Sequence, residues 1–112
     1  MKKIIKLAII AAFASAVSFT AFFHGVPMTV EAASPRSLYI QNCATCHGSN
    51  GKAQTRRGKK LEAADLTSSD VQSMDRAKII RAITNGRPGM PSFKKKLTGK
   101  QVAQIASYVH AF

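Results

Sequence analysis

The feature that most constrains this chain is a run of five residues that contains both of its cysteines. The run is Cys43-Ala44-Thr45-Cys46-His47, and no other cysteine occurs among the 112 residues. A disulfide between the two would close a very small loop and would cross-link nothing distant in the sequence. A thioredoxin-like redox pair belongs to a βαβ unit, and no strand pattern lies nearby. A zinc site needs four ligands, and adjacent Cys46 and His47 suit one tetrahedral ion poorly.

A fourth use accounts for the whole run, because C-x-x-C-H is the attachment motif of c-type haem. Cys43 and Cys46 are three residues apart, which places both thiols on one side of a helical turn. There they can bond the two vinyl groups of one haem, and His47 can supply an axial nitrogen to the iron. The macrocycle would also fill the centre of a small domain that has few large apolar side chains of its own.

Three side chains after residue 32 could occupy the opposite axial position: Met74, Met90 and His110. Met90 is favoured because residues 85–91 contain two prolines and two glycines and cannot form a helix. A segment stiffened in this way can hold a weak thioether ligand against the iron. Met74 falls within a predicted helix, where it would fill the core, and His110 is expected to be a solvated helix-end residue. Met90 is the predicted ligand, and Met74, His110 or an open position are the alternatives.

The first 32 residues have the layout of a secretory signal peptide. Lysines at positions 2, 3 and 6 precede an uncharged run from Leu7 to Phe23, and the small residue Ala32 ends the segment. The apolar run is close to the lower length limit of a bilayer span, so an uncleaved anchor is the alternative. We expect cleavage after Ala32 and export to the periplasm. Residues 33–112 then form one mature haem domain without stable membrane insertion.

Capping signals and apolar periodicity predict that this mature domain is all-α. Ser34 caps a first helix that runs into the cysteine motif. A middle helix is predicted over residues 73–84, where it stops before an Asn-Gly pair. Thr98 begins a capping box that opens the last helix. Residues 48–60 are expected to form a loop, and residues 61–66 are expected to contain at most a short helical turn.

Together these residues resemble a class I c-type cytochrome, and more narrowly the small bacterial monohaem forms of the periplasm. The resemblance rests on the cysteine motif, on Met90 within the later Asn-Gly-Arg-Pro-Gly-Met-Pro segment, and on a last helix that carries Tyr108. It covers nearly all of residues 34–112. It implies a small cytochrome c fold in which the first and last helices cross and pack around one covalent haem c with an exposed edge. Tyr39 and Tyr108 are the aromatic candidates for that crossing.

The resemblance leaves open which groups bind the haem propionates. Some relatives use a tryptophan for this purpose, and the present chain has none. Arg56, Arg57 and Arg87 are the candidates, and the sequence does not choose among them.

The resemblance implies one-electron transfer, and the charge of the chain indicates the type of partner. Fourteen of the 17 Lys and Arg residues, but only four of the five Asp and Glu residues, follow residue 32, so the mature domain carries +10. Two basic clusters, within residues 52–60 and 94–100, are expected to flank the exposed haem edge. Such a surface would steer docking onto an acidic redox partner. Nucleic acid is not an expected partner, because no aromatic side chains are interleaved with the basic ones.

No arrangement of side chains suggests acid–base or nucleophilic catalysis. Glu62, Asp65, Asp70 and Asp75 have no partner residues for such chemistry, and an enzyme is not expected. The sequence therefore predicts a monomeric electron carrier that uses His/Met-ligated haem. The alternatives are a cytochrome subunit of a dehydrogenase or oxidase complex, and a haem sensor or weak peroxidase with an open distal site.

Overall fold

The computed structural model describes residues 32–112, which form six helices joined by loops. The helices are α1 (Pro35–Asn42), α2 (Ala44–His47), α3 (Arg56–Lys60), α4 (Ser69–Gln72), α5 (Arg76–Asn85) and α6 (Gly99–Val109). Within these residues no strand is formed, and one isolated bridge pairs Arg87 with Met90. None of the helices in the described part of the chain has the length and apolar content needed to cross a bilayer. The all-α prediction is confirmed. The predicted signal peptide, apart from Ala32, lies outside the described residues.

Local capping starts the first and last helices where the sequence predicts them. The Ser37 amide donates a 3.1 Å hydrogen bond to Oγ of Ser34, and Pro35 occupies the start of α1. At the start of α6, the Gln101 amide donates to the Thr98 hydroxyl oxygen and the Thr98 amide donates to the Gln101 side chain. This reciprocal pair is a capping box, which satisfies amides that the first helical turn leaves without partners.

Two expectations about the intervening segments are wrong. Residues 48–60, expected to be a loop, end in α3, which begins because Thr55 Oγ1 accepts a hydrogen bond from the first turn. The middle helix α5 begins at Arg76 rather than at position 73. Its start is delayed because Asp75 has a non-helical backbone conformation, with ψ of 138°. Met74 consequently lies in the turn between α4 and α5 instead of within a helix.

The first and last helices pack together at an aromatic cluster. Tyr39 of α1 is fully buried, and its ring centroid lies 5.2 Å from that of Tyr108 and 5.2 Å from that of Phe112. The Tyr39 hydroxyl donates a 2.7 Å hydrogen bond to the carbonyl oxygen of Gly48. Burial raises the pKa of this hydroxyl, so the donor stays protonated. The core continues from this cluster through Leu38, Cys43, Val71, Ile79, Ile83, Phe93, Val102, Ile105, Ala106 and Val109.

Helix α5 packs against α6 through both apolar and polar contacts. Ile79 and Ile83, one helical turn apart, are buried. At the start of α5, the Arg76 guanidinium donates from Nε to Oγ of Ser107 at 3.0 Å and from Nη2 to the carbonyl oxygen of Ala103 at 2.8 Å. Because α5 is fixed at its start and along its buried face, the segment that follows it leaves from a defined point.

Gly58 allows a test of how closely α2 and α3 approach each other. A Cβ at this position would lie 2.1 Å from the carbonyl oxygen of Cys46 and 2.8 Å from that of Ala53. Gly58→Ala should therefore force the two segments apart. We expect it to lower the free energy of unfolding by about 3 kcal/mol, which is large for the addition of one methyl group. Urea unfolding followed by circular dichroism measures the loss.

Gly99→Ala is the matched control for this substitution. A Cβ on Gly99, in the first turn of α6, would meet nothing within 4 Å. The control should change the free energy of unfolding by less than about 0.5 kcal/mol. Equal losses for the two substitutions would contradict the close approach at Gly58.

Candidate haem site

A crevice of about 370 Å³ lies between the cysteine motif and two later segments of the chain. Most of its surface is apolar, and Asn42, Leu61, Pro88, Pro91 and Phe93 contribute to its walls. Cys43, Cys46, His47 and Met90 all line it. The fold therefore brings Met90 into one cavity with a motif that lies far away in the sequence.

Cys43 lies at the junction of α1 and α2, and Cys46 lies within α2. The amides of Cys46 and His47 both donate to the carbonyl oxygen of Cys43, at 3.1 and 2.9 Å, which forms the helical turn expected from the spacing. Cys43 is buried and Cys46 is partly buried. Burial, and to a lesser extent the neighbouring Cys46, raises the pKa of the Cys43 thiol to about 11. A catalytic redox thiol needs a lowered pKa, so this environment disfavours a thioredoxin-like pair.

His47 is oriented by a backbone group that sequence reasoning missed. Nδ1 of the ring lies 2.9 Å from the carbonyl oxygen of Ala64. Since a carbonyl only accepts, Nδ1 carries the proton and Nε2 is the ring nitrogen left with a lone pair. A bond of this kind fixes the ring and raises the basicity of the nitrogen that binds a metal. The Ala64 segment is held in turn by the Leu66 amide, which donates to the carbonyl oxygen of Gly51 at 2.8 Å.

The segment that carries Met90 forms a tight turn, as its prolines and glycines indicate. Met90 and Arg87 exchange two backbone hydrogen bonds, of 2.8 and 3.0 Å. Gly86, which enters the turn, has a φ of 76°, in the left-handed region that favours glycine. After the turn, the Phe93 amide donates to the carbonyl oxygen of Ile83 at 3.1 Å. The turn is therefore tied to α5 at its exit as well as at its entrance.

The two other candidate axial ligands lie elsewhere. Neither Met74 nor His110 lines the crevice. Nε2 of His110 lies 2.9 Å from the carbonyl oxygen of Met74, and this contact joins the end of α6 to the turn before α5. The expectation that His110 is a solvated side chain is wrong, because the ring is half-buried and hydrogen-bonded. The side chain of Met74 packs against the core, as expected.

Charged side chains divide between the crevice and an adjoining groove. Arg87 and Glu62 line the crevice. The groove has a volume of about 730 Å³ and shares the Met90 wall with the crevice, and its cations are Arg57 and Lys96. Of the two basic clusters predicted to flank the site, only Arg57 and Lys96 line these two cavities.

Asp65 is held by hydrogen bonds to a neighbouring threonine. Oδ1 of Asp65 accepts hydrogen bonds from the hydroxyl of Thr67 at 2.6 Å and from its amide at 2.8 Å. These bonds lower the pKa of the Asp65 carboxyl, and they close a local turn at the surface. Within residues 32–112 there is no group of three or more His, Cys, Asp or Glu side chains that could hold a metal ion.

Comparison with known proteins decides the family. Residues 30–109 match the family described as cytochrome C oxidase, cbb3-type, subunit III. Cytochrome c6 of Rippkaea orientalis is 38% identical over 81 residues, which cover 72% of this chain and 70% of that protein. The chain belongs to the class I c-type cytochromes.

Solved structures agree with this assignment and confirm the predicted cytochrome c fold. The KustC0563 c-type cytochrome superposes with a TM-score of 0.66 at 34% identity, covering 70% of this chain and 96% of that one. Cytochrome c6 from the diatom Phaeodactylum tricornutum gives a TM-score of 0.52 at 30% identity, covering 69% and 87%. The chain is also 35% identical over 77 residues to the cbb3-type cytochrome c oxidase subunit CcoP of Azospirillum brasilense. That match covers 67% of this chain but only 26% of that subunit.

Membership of this family implies one covalently bound haem c with its iron, and the crevice suits such a group. Its residues include two thiols, an imidazole and a thioether, which are the groups that c-type haem uses. The walls are mostly apolar, as a large flat macrocycle requires. The crevice volume also falls within the roughly 300–1,000 Å³ of ligand and cofactor sites.

Gly86 tests the position of the Met90 segment. A Cβ on Gly86 would lie 2.7 Å from the carbonyl oxygen of Met90 and 2.8 Å from the amide nitrogen of Ser92. Gly86→Ala should displace the segment. If Met90 binds iron, the weak ferric band at the red end of the visible spectrum, which accompanies sulfur ligation in this family, should then weaken or disappear. Gly99→Ala should keep the band. If the wild type shows the band and Gly86→Ala keeps it unchanged, the close approach of Gly86 to the Met90 segment is contradicted.

Proposed function

We propose that this protein is an exported one-electron carrier whose haem c is bound at Cys43 and Cys46, with His47 and Met90 as axial ligands. One observation carries the proposal: these four residues line a single apolar crevice, although Met90 is distant from the others in sequence. When bound, the haem iron supplies one-electron exchange between Fe(II) and Fe(III). Membership of the c-type cytochromes supports the same function.

The protein's contribution is to hold both axial ligands in place. The Ala64 carbonyl oxygen keeps the proton on Nδ1 of His47, so that Nε2 is the nitrogen offered to the metal. The backbone pair between Arg87 and Met90 stiffens the turn that supplies the thioether. Ligands held by the backbone move little when the iron changes its charge, which favours rapid electron exchange. With both axial positions occupied by protein, no position remains for a substrate, and the protein is a carrier rather than an enzyme.

The charge around the groove supports acidic redox proteins as partners. Arg57 and Lys96 line the groove beside Cys46 and Met90. The ammonium group of Lys96 lies 5.9 Å from the centroid of the Phe93 ring. A positive surface at this point attracts a negatively charged partner to the edge through which the electron leaves. Electron-transfer encounters are small and short-lived, which suits a monomer.

The layout of residues 1–32 supports export by a cleaved signal peptide. In the oxidising periplasm the two motif cysteines could otherwise pair with each other, and bonding to haem is the use proposed for their thiols. Export also separates the protein from nucleic acid, so the basic surface serves redox proteins. The mature chain would carry no membrane-inserted segment.

A second candidate function is that of a cytochrome subunit in an oxidase complex. The observation that favours it is the match of residues 30–109 to the cbb3-type subunit III family. However, the chain spans about a quarter of the curated oxidase subunits that it matches, such as the 26% covered in the Azospirillum brasilense subunit. Purification at high salt distinguishes the two functions, because a subunit remains with its complex and a carrier elutes alone. A sensor or peroxidase with an open distal site requires that Met90 not bind the iron.

Met90→Ala tests the proposed ligand set. The variant should keep covalent haem, because both cysteines and His47 remain, but it should lose the low-spin His/Met spectrum. Its reduction potential should fall, because the thioether favours Fe(II). Absorption spectroscopy of the oxidised and reduced protein, combined with redox titration, measures both effects.

Met74→Ala is the control, since this methionine packs against the core and does not line the crevice. It should reduce stability and leave the spectrum and potential close to those of the wild type. If Met90→Ala retains the wild-type spectrum and potential, Met90 is not the ligand. Carbon monoxide binding by the reduced wild type would support the open-site alternative.

Lys96→Glu tests the proposed docking surface. The substitution should change the rates of oxidation by an anionic and a cationic redox probe in opposite directions. Oxidation of the reduced protein by anionic ferricyanide should slow by roughly tenfold at low salt, because the attraction becomes repulsion. Oxidation by a cationic cobalt(III) phenanthroline complex should become faster. Stopped-flow measurements give both rates, and the differences should vanish near 1 M salt, where the Debye length is about 3 Å.

Lys78→Glu is the matched control, because Lys78 is an exposed residue of α5 that lines neither the groove nor the crevice. The change in net charge is the same in both variants, so only position distinguishes them. Equal effects of the two substitutions would show that net charge, rather than the groove, governs the encounter.

A further inference from the structure

We propose that the end of α6 braces the segment that orients His47, with Phe112 and Gln72 as the positioning residues. The inference rests on the proposed function, because it takes His47 as an axial ligand of the haem iron. Neither positioning side chain lines the crevice, so each acts on the ligand through other groups. Those groups meet at Leu66, two residues beyond the Ala64 carbonyl oxygen that accepts from His47.

The ring of Phe112 packs against the backbone of Gly51. A Cβ placed on Gly51 would lie 3.1 Å from two carbon atoms of this ring, so the loop passes directly beside it. The ring is also part of the aromatic cluster, with its centroid 5.2 Å from that of Tyr39 and 5.3 Å from that of Tyr108. The carbonyl oxygen of Gly51 accepts from the Leu66 amide at 2.8 Å. Phe112 therefore restricts the group that holds the Leu66 amide.

Gln72 holds the same segment through the other polar group of its backbone. Nε2 of Gln72, in α4, donates to the carbonyl oxygen of Leu66 at 2.6 Å and to that of Val109 at 2.9 Å. Val109 is the last residue of α6. One side-chain amide thus joins the end of α6 to Leu66. Both backbone polar groups of Leu66 are therefore connected to this end of the helix, one through Gln72 and the other through Gly51.

The position of Ala64 depends on its neighbours, because Ala64 is itself exposed. On one side, the Ala63 amide donates to the carbonyl oxygen of Gly58 at 2.9 Å. On the other side, the anchor is Leu66. Loss of the second anchor leaves the Ala64 carbonyl oxygen free to move relative to Nδ1 of His47, from which it lies 2.9 Å.

The hydrogen bond to Ala64 affects the chemistry of His47 as well as its orientation. A bond from Nδ1–H to a carbonyl oxygen raises the basicity of Nε2, the nitrogen offered to the metal. A more basic axial ligand donates more electron density to the iron and favours Fe(III). Weakening the brace should therefore raise the reduction potential and expose the Nδ1 proton of His47 to solvent.

The experiment observes this proton directly in the reduced holoprotein, exported with haem-maturation machinery and labelled with ¹⁵N in histidine. NMR gives the rate at which the Nδ1 proton of His47 exchanges with solvent, and the ring current of the haem separates its signal from that of His110. Phe112→Ala and Gln72→Met should each speed the exchange about tenfold, as expected when local opening becomes easier by roughly one hydrogen bond. Redox titration should show a higher potential in both variants.

Ile79→Ala is the control for a loss of core packing. Ile79 is buried in α5 and lines neither the crevice nor the groove. The control should destabilise the fold at least as much as Phe112→Ala, because Phe112 is only half-buried. It should nevertheless leave the exchange rate and the potential close to those of the wild type.

The brace is overturned if Phe112→Ala or Gln72→Met leaves the exchange rate and the potential unchanged, or if Ile79→Ala changes them as much. These results keep the proposed function, because the haem is still attached and His47 still binds its iron. Failure of the proposed function has a different signature: the exported protein carries no haem, or the His47 signals lack the ring-current shift of an axial ligand.

Discussion

The burial of Tyr39 is the interaction on which the rest of this structure depends. Its ring fixes the crossing of α1 and α6 by packing against Tyr108 and Phe112. Its hydroxyl donates to the carbonyl oxygen of Gly48, the residue that follows His47. One side chain therefore joins the packing of the terminal helices to the end of the haem-attachment motif. The Gly48 carbonyl oxygen also accepts from the Gly51 amide at 3.2 Å, so the Tyr39 hydroxyl is one of its two donors, and this one bond contributes about 0.5–1.5 kcal/mol to the coupling of the crossing with the motif.

Backbone hydrogen bonds hold the chain segments that surround the crevice in place. The Ala53 amide donates to the carbonyl oxygen of His47 at 2.8 Å, which turns the chain back towards the motif. The Leu66 amide donates to Gly51 at 2.8 Å, and the intervening segment brings the Ala64 carbonyl oxygen to His47. The segments beside the crevice are thus positioned by backbone amides and carbonyl oxygens. Their side chains remain available to bind a cofactor, and the small apolar core does not have to position the site alone.

This division explains which parts of the molecule the sequence predicts. The cysteine motif, the caps at Ser34 and Thr98 and the Met90 turn depend on particular residue types close together, so they can be recognised locally. The contact with the carbonyl oxygen of Ala64 cannot be recognised, because this backbone atom lies 17 residues from its partner and alanine has no side-chain chemistry to mark the position.

Helix α3 and the contact of His110 were missed for related reasons. Gly58 lowers the helix propensity of α3, yet a glycine is required there because α2 approaches so closely. The only local signal for the helix is the cap at Thr55, and a lone threonine among polar residues is a weak one. His110 finds its partner 36 residues away, at the carbonyl oxygen of Met74. Tertiary contacts of this kind decide where a polar residue lies, and no local pattern reports them.

The charges around the site differ between the crevice and the groove. Arg87 and Glu62 line the crevice with opposite charges, and both residues are exposed to solvent, where salt screens their fields. Arg57 and Lys96 face an open groove, where their field reaches an approaching partner but is screened within about 10 Å at 0.1 M salt. The turn that contains Arg87 and Met90 forms the boundary between the two regions. A negatively charged partner would therefore meet net positive charge at the groove rather than at the crevice.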